Sequence, residues 1–166
     1  MPARGLIGLR SHMLTATAGE AVMHHCFQKY APVRTTAYHR ANGVLVATQH
    51  GMAKTYSMLS LSQRSVLFVE PQDVIYAGQI VGENVREGDM DVNIVKAKAF
   101  TNVRESNKEA TVVLKASRAL TLEGALEYIQ DDELVEITPD GIRLRKTILA
   151  EGMRKQQARR AKAATT

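Results

Sequence analysis

From Asn42 to Glu83 no apolar stretch runs far before a turn-forming dipeptide breaks it. Asn42-Gly43, His50-Gly51, Glu70-Pro71 and Ala77-Gly78 interrupt apolar or alternating runs at 44–49, 53–61, 66–69 and 73–83. Long helices cannot form across such breaks, whereas short strands can, and their close spacing predicts a small barrel or sandwich. At 166 residues the chain is about one domain, or two small ones. A body of that size buries roughly 68–70% of its unfolded surface, enough for a core without covalent staples. The single cysteine, Cys26, excludes internal disulfides and cysteine-rich zinc sets. There is no secretory apolar region and no run near the ~20 residues of a membrane span, which predicts a cytoplasmic protein with no membrane partner.

Outside that stretch the periodicity changes. Leu6, Leu9, Met13 and Ala16 fall on one helical face, with Gly19 just beyond as a C-terminal stop. Residues 21–30 read as an extended strand ended by Pro32. One helix and one strand cannot enclose a core, so this front piece predicts the remnant of a larger domain. Apolar runs recur at 92–95 and 111–114, with a polar, basic stretch between them that reads as a long loop. Thr121 is placed to cap a helix burying Leu122, Ala125 or Leu126, and Ile129, with Asp131-Asp132 beyond its end. Runs at 134–138 and 142–146 around Pro139-Asp140-Gly141 read as a hairpin. The tail from Ala150 has helix-forming residues and hardly any apolar stripe, predicting disorder, or a helix only against a partner.

Charge is segregated. Residues 96–118 hold six cations and two anions, 119–140 hold seven anions and no cation, and 150–166 hold five cations and one anion. Two basic blocks around an acidic one fit contact with a polyanion, the acidic strip being a solvated face or an internal counterweight. In the first block Lys96, Lys98, Arg104, Lys108, Lys115 and Arg118 alternate with polar residues that include Thr101 and Asn102. Cations attract phosphates, while Thr101, Asn102, Ser106 and Asn107 offer hydrogen bonds to sugar or base, so composition alone fits an RNA-binding loop and a solvated loop equally. With no Trp, five Tyr and three Phe, base stacking is a poor mode of recognition.

No catalytic signature stands out. Gly51-Met52-Ala53-Lys54-Thr55 lacks the glycines of a phosphate-binding loop, and no dinucleotide, nucleophile-elbow or zinc-protease motif occurs. His24-His25-Cys26 offers only His24 and Cys26 on one side of a strand, too few for a structural metal. No catalytic and no metal residue is therefore assigned. The run Pro71 to Gly82 resembles the edge of biotinyl and lipoyl carrier domains, with Lys54 as an attachment point, although Lys54 lacks the flanking Met-Lys-Met.

A broader resemblance covers essentially the whole chain. Pro2 to Ser11, Ala18-Gly19 and Phe27 to Val33 resemble the end of the last elongation-factor-G-like domain of the TypA/BipA translational GTPases. Gly43 to Val46, Gly78 to Glu83, Leu120 to Glu123, Asp131 to Glu136 and Ile142 to Lys146 resemble that family's own C-terminal domain. The resemblance implies a β-dominant α+β chain in three parts. Residues 1–33 would be a helix-strand remnant of a ferredoxin-like α/β domain, 34–149 a small OB-like β-barrel domain, and 150–166 a basic tail. Family members are ribosome-associated GTPases acting in ribosome assembly and stress-related translation. The resemblance implies that the loop at 96–118 contacts rRNA or the acceptor end of A-site tRNA, with Lys96, Lys98, Thr101, Asn102, Arg104, Lys108, Lys115 and Arg118 as the eight candidate RNA-binding residues. GTP and Mg would belong to a nucleotide-binding domain this chain lacks, leaving it with no cofactor and no enzymatic activity. An exposed 1–33 remnant would favour self-association. The alternative is a structural or scaffolding fragment with no independent activity.

Overall fold

The computed structural model describes residues 3–6, 8–32, 40–97 and 113–165. Its centre is a six-stranded sheet whose two middle strands are buried on both faces. In chain order the elements are α1 (Leu9–Ala16), β1 (Val44–Ala47), β2 (Gly51–Met52), α2 (Thr55–Ser62), β3 (Ser65–Leu67), β4 (Val74–Ile75) and β5 (Gln79–Asn84). These are followed by β6 (Met90–Val92), α3 (Leu122–Tyr128), β7 (Glu133–Thr138), β8 (Gly141–Lys146) and α4 (Glu151–Thr165). Strand order is β6-β1-β5-β8-β7, with β3 also paired to β5, and β2 and β4 form a separate ribbon. All main-sheet pairs are antiparallel except β1 with β6. The described strands make an open path from β6 to β7, so the expected barrel is not closed. The α+β, sheet-rich character stands.

Alternation along β1 explains why the sheet needs cover on both sides. Leu45 and Ala47 point into one core with Met58 and Leu61 of α2, Ile75, Val81 and Val92. Val44 and Val46 point into the other, with Ile80, Leu144 and Ala125 of α3. The sheet is thus sandwiched between an α2 side and an α3 side. Between Leu45 and Val46 the pairing skips Val81, a bulge that deepens the local twist.

The expected strand at 53–61 is instead α2. Ser57, Met58, Leu61 and Ser62 are its buried residues, a spacing that fits a helix face and not a strand. The alternating serines that mimic a strand pattern turn their hydroxyls onto carbonyls, Ser60 onto Ser57 at 2.7 Å and Ser62 onto Leu59 at 2.8 Å. The run at 73–83 divides into β4 and β5 at Gly78, where φ is +88° and a Cβ would meet Leu149 at 2.6 Å.

Thr121 does cap α3, its hydroxyl accepting from the Gly124 amide at 3.2 Å. The buried face of that helix is Ala125 and Tyr128, continuing to Ile129, while Leu122 and Leu126 are 44% and 49% exposed. The hairpin forms as expected, with Pro139 and Asp140 between β7 and β8. Residues 20–32 pair with no strand among the described residues. Extended backbone becomes a strand only when a neighbour satisfies its amides, and here Val22, Phe27 and Tyr30 stay exposed. The apolar stretch ending at Leu114 also lacks strand pairing over its described residues. The tail is helical as α4, tied to the body of the same chain through Arg154 and Asp91 at 2.5 Å. No described helix is long and apolar enough to cross a membrane.

Truncating Leu144, fully buried, to Ala should cost about 2–5 kcal/mol in urea unfolding. Leu126→Ala, on the outer face of α3, should stay within about 0.5 kcal/mol. A large loss at Leu126 would show that the other face of α3 is the packed one.

Candidate nucleic-acid interface

The basic segment is rooted on the α2 side of the sheet. At its start Ile94 is buried, and its carbonyl accepts from the Lys54 amide at 3.0 Å. Two residues later the Lys96 carbonyl accepts from the Ser57 hydroxyl at 2.5 Å while its side chain is exposed. At the far end Leu114 packs against the same core as Val95. The Arg118 amide donates to the Leu67 carbonyl at 2.8 Å.

Of the eight candidate residues, Lys96, Lys115 and Arg118 fall within the described chain. Lys98, Thr101, Asn102, Arg104 and Lys108 lie outside the described residues. Lys96 and Lys115 face solvent at the two roots. Arg118 differs. Its guanidinium meets Glu83 at 2.5 Å and lies over the rings of Phe68 and Tyr128, 4.9 and 5.6 Å from their centroids. It is nonetheless 47% exposed, so it pins the end of the segment while keeping an edge in water.

The acidic strip is an internal counterweight in part. Glu133 has no exposed side-chain area, and its two oxygens take Arg40 at 2.5 and 2.6 Å. Lys146 reaches Glu133 at 2.9 Å, Asp132 at 2.7 Å and Asp89 at 2.5 Å. Arg40 also donates to the carbonyls of Asn42 and Tyr128 and stacks on the Tyr128 ring at 4.6 Å. Burial pushes the Glu133 carboxyl up, but hydrogen bonds from Arg40 and Lys146 override it and hold the group below its ordinary range. Burial likewise opposes the charge on Arg40 and Lys146, and their acidic partners raise both nonetheless.

This network was not among the sequence candidates, yet one signal for it existed. Val135 and Ile142 face the α3-side core, and Glu133 and Lys146 continue that alternation at positions that are partners in the hairpin register. Opposite charges at paired core-face positions mark a buried ion pair. Elsewhere, Glu127 meets His12 at 2.8 Å and Tyr76 donates to Glu136. Gly8, at φ +77°, brings the start of α1 so close to Glu127 that a Cβ there would overlap its carboxyl carbon.

Lys54 is exposed at the start of α2, not at a hairpin tip, and no group of His, Cys, Asp or Glu suited to a metal occurs among the described residues. His24 and Cys26 are both exposed.

The described residues thus form an open, sheet-rich α+β body with the two ends of a basic segment fixed on it. The model of the TypA/BipA C-terminal domain matches residues 42–151. The chain is 41% identical over 165 residues to the large ribosomal subunit assembly factor BipA of Bacillus subtilis, covering 99% of this chain and 27% of that protein. It is 44% identical over 146 residues to the BipA of Synechocystis, covering 88% and 24%, and 41% identical over 160 residues to that of Escherichia coli K12, covering 96% and 26%. The chain belongs to the TypA/BipA family and spans about a quarter of the length of these relatives.

The buried carboxylate sets a pH dependence. Because Glu133 titrates below its unfolded value of 4.5 when folded, its contribution is complete above that pH and is lost as pH falls through the folded value. Glu133→Gln should cost about 3–5 kcal/mol at pH 7, since it takes the paired carboxylate from the buried Arg40 and leaves Lys146 only Asp89 and Asp132. It should also flatten the loss of stability on acidification below pH 4.5, measured by urea unfolding from pH 7 to 3. An unchanged acid slope would remove Glu133 from that role.

Proposed function

We propose that the chain is the ribosome-contacting C-terminal portion of a large-subunit assembly factor of the BipA type, with segment 96–118 as its RNA-binding arm. The observation that carries this reading is the anchoring of both roots on one core, with Lys96 and Lys115 exposed there and the candidate cations between them in sequence. A segment so tethered presents its charge with less ordering entropy than a free tail. In this reading Lys96, Lys98, Arg104, Lys108 and Lys115 attract phosphates, Thr101 and Asn102 hydrogen-bond to sugar or base, and Arg118 fixes the root. rRNA and the acceptor end of A-site tRNA are its targets, in cytoplasmic ribosome biogenesis and stress-related translation.

The chain binds and does not catalyse. Its family match is to the C-terminal domain, and GTP with Mg would be handled in other parts of the relatives' length. The boundaries at 33 and 149 are likewise proposed, with 1–33 as a domain remnant. Its exposed Phe27 and Tyr30, packed edge to face at 5.0 Å, fit self-association or the rest of a longer protein.

With four phosphates engaged, binding to purified large ribosomal subunits should fall with salt at a log–log slope of roughly −3. Replacing Lys96, Lys98, Arg104 and Lys108 together by Ala should make the measured slope shallower by roughly 3. Binding unaffected by the replacement would favour a scaffolding piece without an RNA role for this arm. Phosphate release from GTP, with the chain added to ribosomes, should match the ribosome-only control, and turnover above it would overturn the non-catalytic reading.

A further inference from the structure

We propose that α4 is a second RNA-contacting element, seating its outward face, with Arg159 and Arg160, on phosphate groups independently of segment 96–118. It rests on the reading that the chain binds ribosomal RNA.

Helix α4 is held to the body by charge, not by apolar burial. Met153, its largest apolar side chain, is 61% exposed. The fixing point is its first turn. Arg154 donates to the carbonyls of Ile148 and Leu149 at 3.2 and 2.6 Å and meets Asp91 at 2.5 Å. Lys155 reaches the same Asp91 at 3.4 Å and also pairs with Glu151. Beyond that turn the helix carries only positive charge, and no acidic residue follows Glu151. At about 1.5 Å per residue, α4 extends roughly 15 Å beyond the clamp at Arg154 and Lys155 as a basic arm.

The two sides of the arm differ. Arg154, Gln157, Ala158 and Ala161 border a groove of about 680 Å³ whose other lining includes Asp89, Asp91, Asp131 and Asp132. Lys146, Arg154 and Lys155 also line that groove but are committed to Asp89, Asp132 and Asp91, so the inner side offers phosphate no uncommitted cation among its lining residues. Arg159 and Arg160 do not border the groove; both are exposed and make no ion pair among the described residues. The outer side is therefore where a polyanion fits. Its chemistry favours RNA over an acidic protein. Arginines on an alanine- and glutamine-rich helix supply charge without the apolar anchor that the centre of a protein interface needs.

Position makes this contact separate from the first. Met90 and Val92 of β6 pack into the α2-side core, so alternation turns Asp91, and with it α4, to the opposite face. The arm's solvent-facing roots at Lys96 and Lys115 adjoin Val95 and Leu114 on the α2 side, and only the Arg118 side chain crosses to Phe68 and Tyr128, where Glu83 already takes its charge. Contacts made on opposite faces should act independently, so their effects on Kd should multiply.

The test uses the full chain with a fluorescein-labelled 20-nucleotide uridine RNA, followed by anisotropy, and with purified large ribosomal subunits. R159Q/R160Q keeps good helix formers, so far-UV circular dichroism should be unchanged. Losing two phosphate contacts should reduce the salt slope by about 1.4, so that from 50 to 200 mM salt the unaltered chain loses about sevenfold more affinity than the variant. R159K/R160K should restore most of the slope. The proposal is overturned by equal slopes on RNA, and equally by a loss on subunits with none on RNA, which would point to an acidic protein partner. If the four-alanine variant at 96–108 keeps its binding while R159Q/R160Q loses it, the segment reading fails and α4 stands. The reverse result removes α4 and leaves the segment.

Discussion

A buried carboxylate between two cations ties this chain together. Glu133 sits at the start of β7, Lys146 at the end of β8, and Arg40 ahead of β1, so one group joins elements distant in sequence. Removing three charges from water is unfavourable by itself, and the fold compensates with two short bonds from Arg40 and a second and third carboxylate on Lys146. The stack of Arg40 on Tyr128 then carries the same constraint into α3, where Phe68 meets Tyr128 edge to face at 5.4 Å. Arg118 lies on those same two rings, so the root of the basic segment is continuous with the ion network.

That continuity sorts the charges into two kinds. Arg40, Lys146, Arg118 and Arg154 are committed to carboxylates within the chain and act as fasteners. Lys96, Lys115, Arg159 and Arg160 are exposed at the roots of one basic block and on the arm of the other. A net charge of +5 is therefore a poor guide to binding, because much of the positive charge is neutralised where it stands. The carboxylates of 119–140 do not close off the described part of the first block: Arg118 finds Glu83, while Asp132 and Glu133 serve Lys146.

Legibility followed the range of the interactions. The Thr121 cap and the turn between β7 and β8 depend on a few neighbouring residues, and both were readable. At 53–61 alternating serines imitate a strand, and only packing against Leu45, Ile75 and Val81 selects helix α2. The strand expected at 21–30 does not form for the complementary reason: no neighbouring strand satisfies its backbone among the described residues. Among the candidate binding residues, nothing local marks Arg118 as a fastener, since its partners lie at positions 68, 83 and 128.

By itself the sequence determined the family, the turns, the caps and the segregation of charge, because each is written in adjacent residues or in motifs quoted directly from the chain. Tertiary structure alone decided that the described strands form an open sheet, that the strip at 119–140 is partly an interior counter-charge, and which of the described cations remain outside. Those outcomes depend on strand order and on which faces are covered. Residues tens of positions apart meet only after β1 and β5 are buried from both sides.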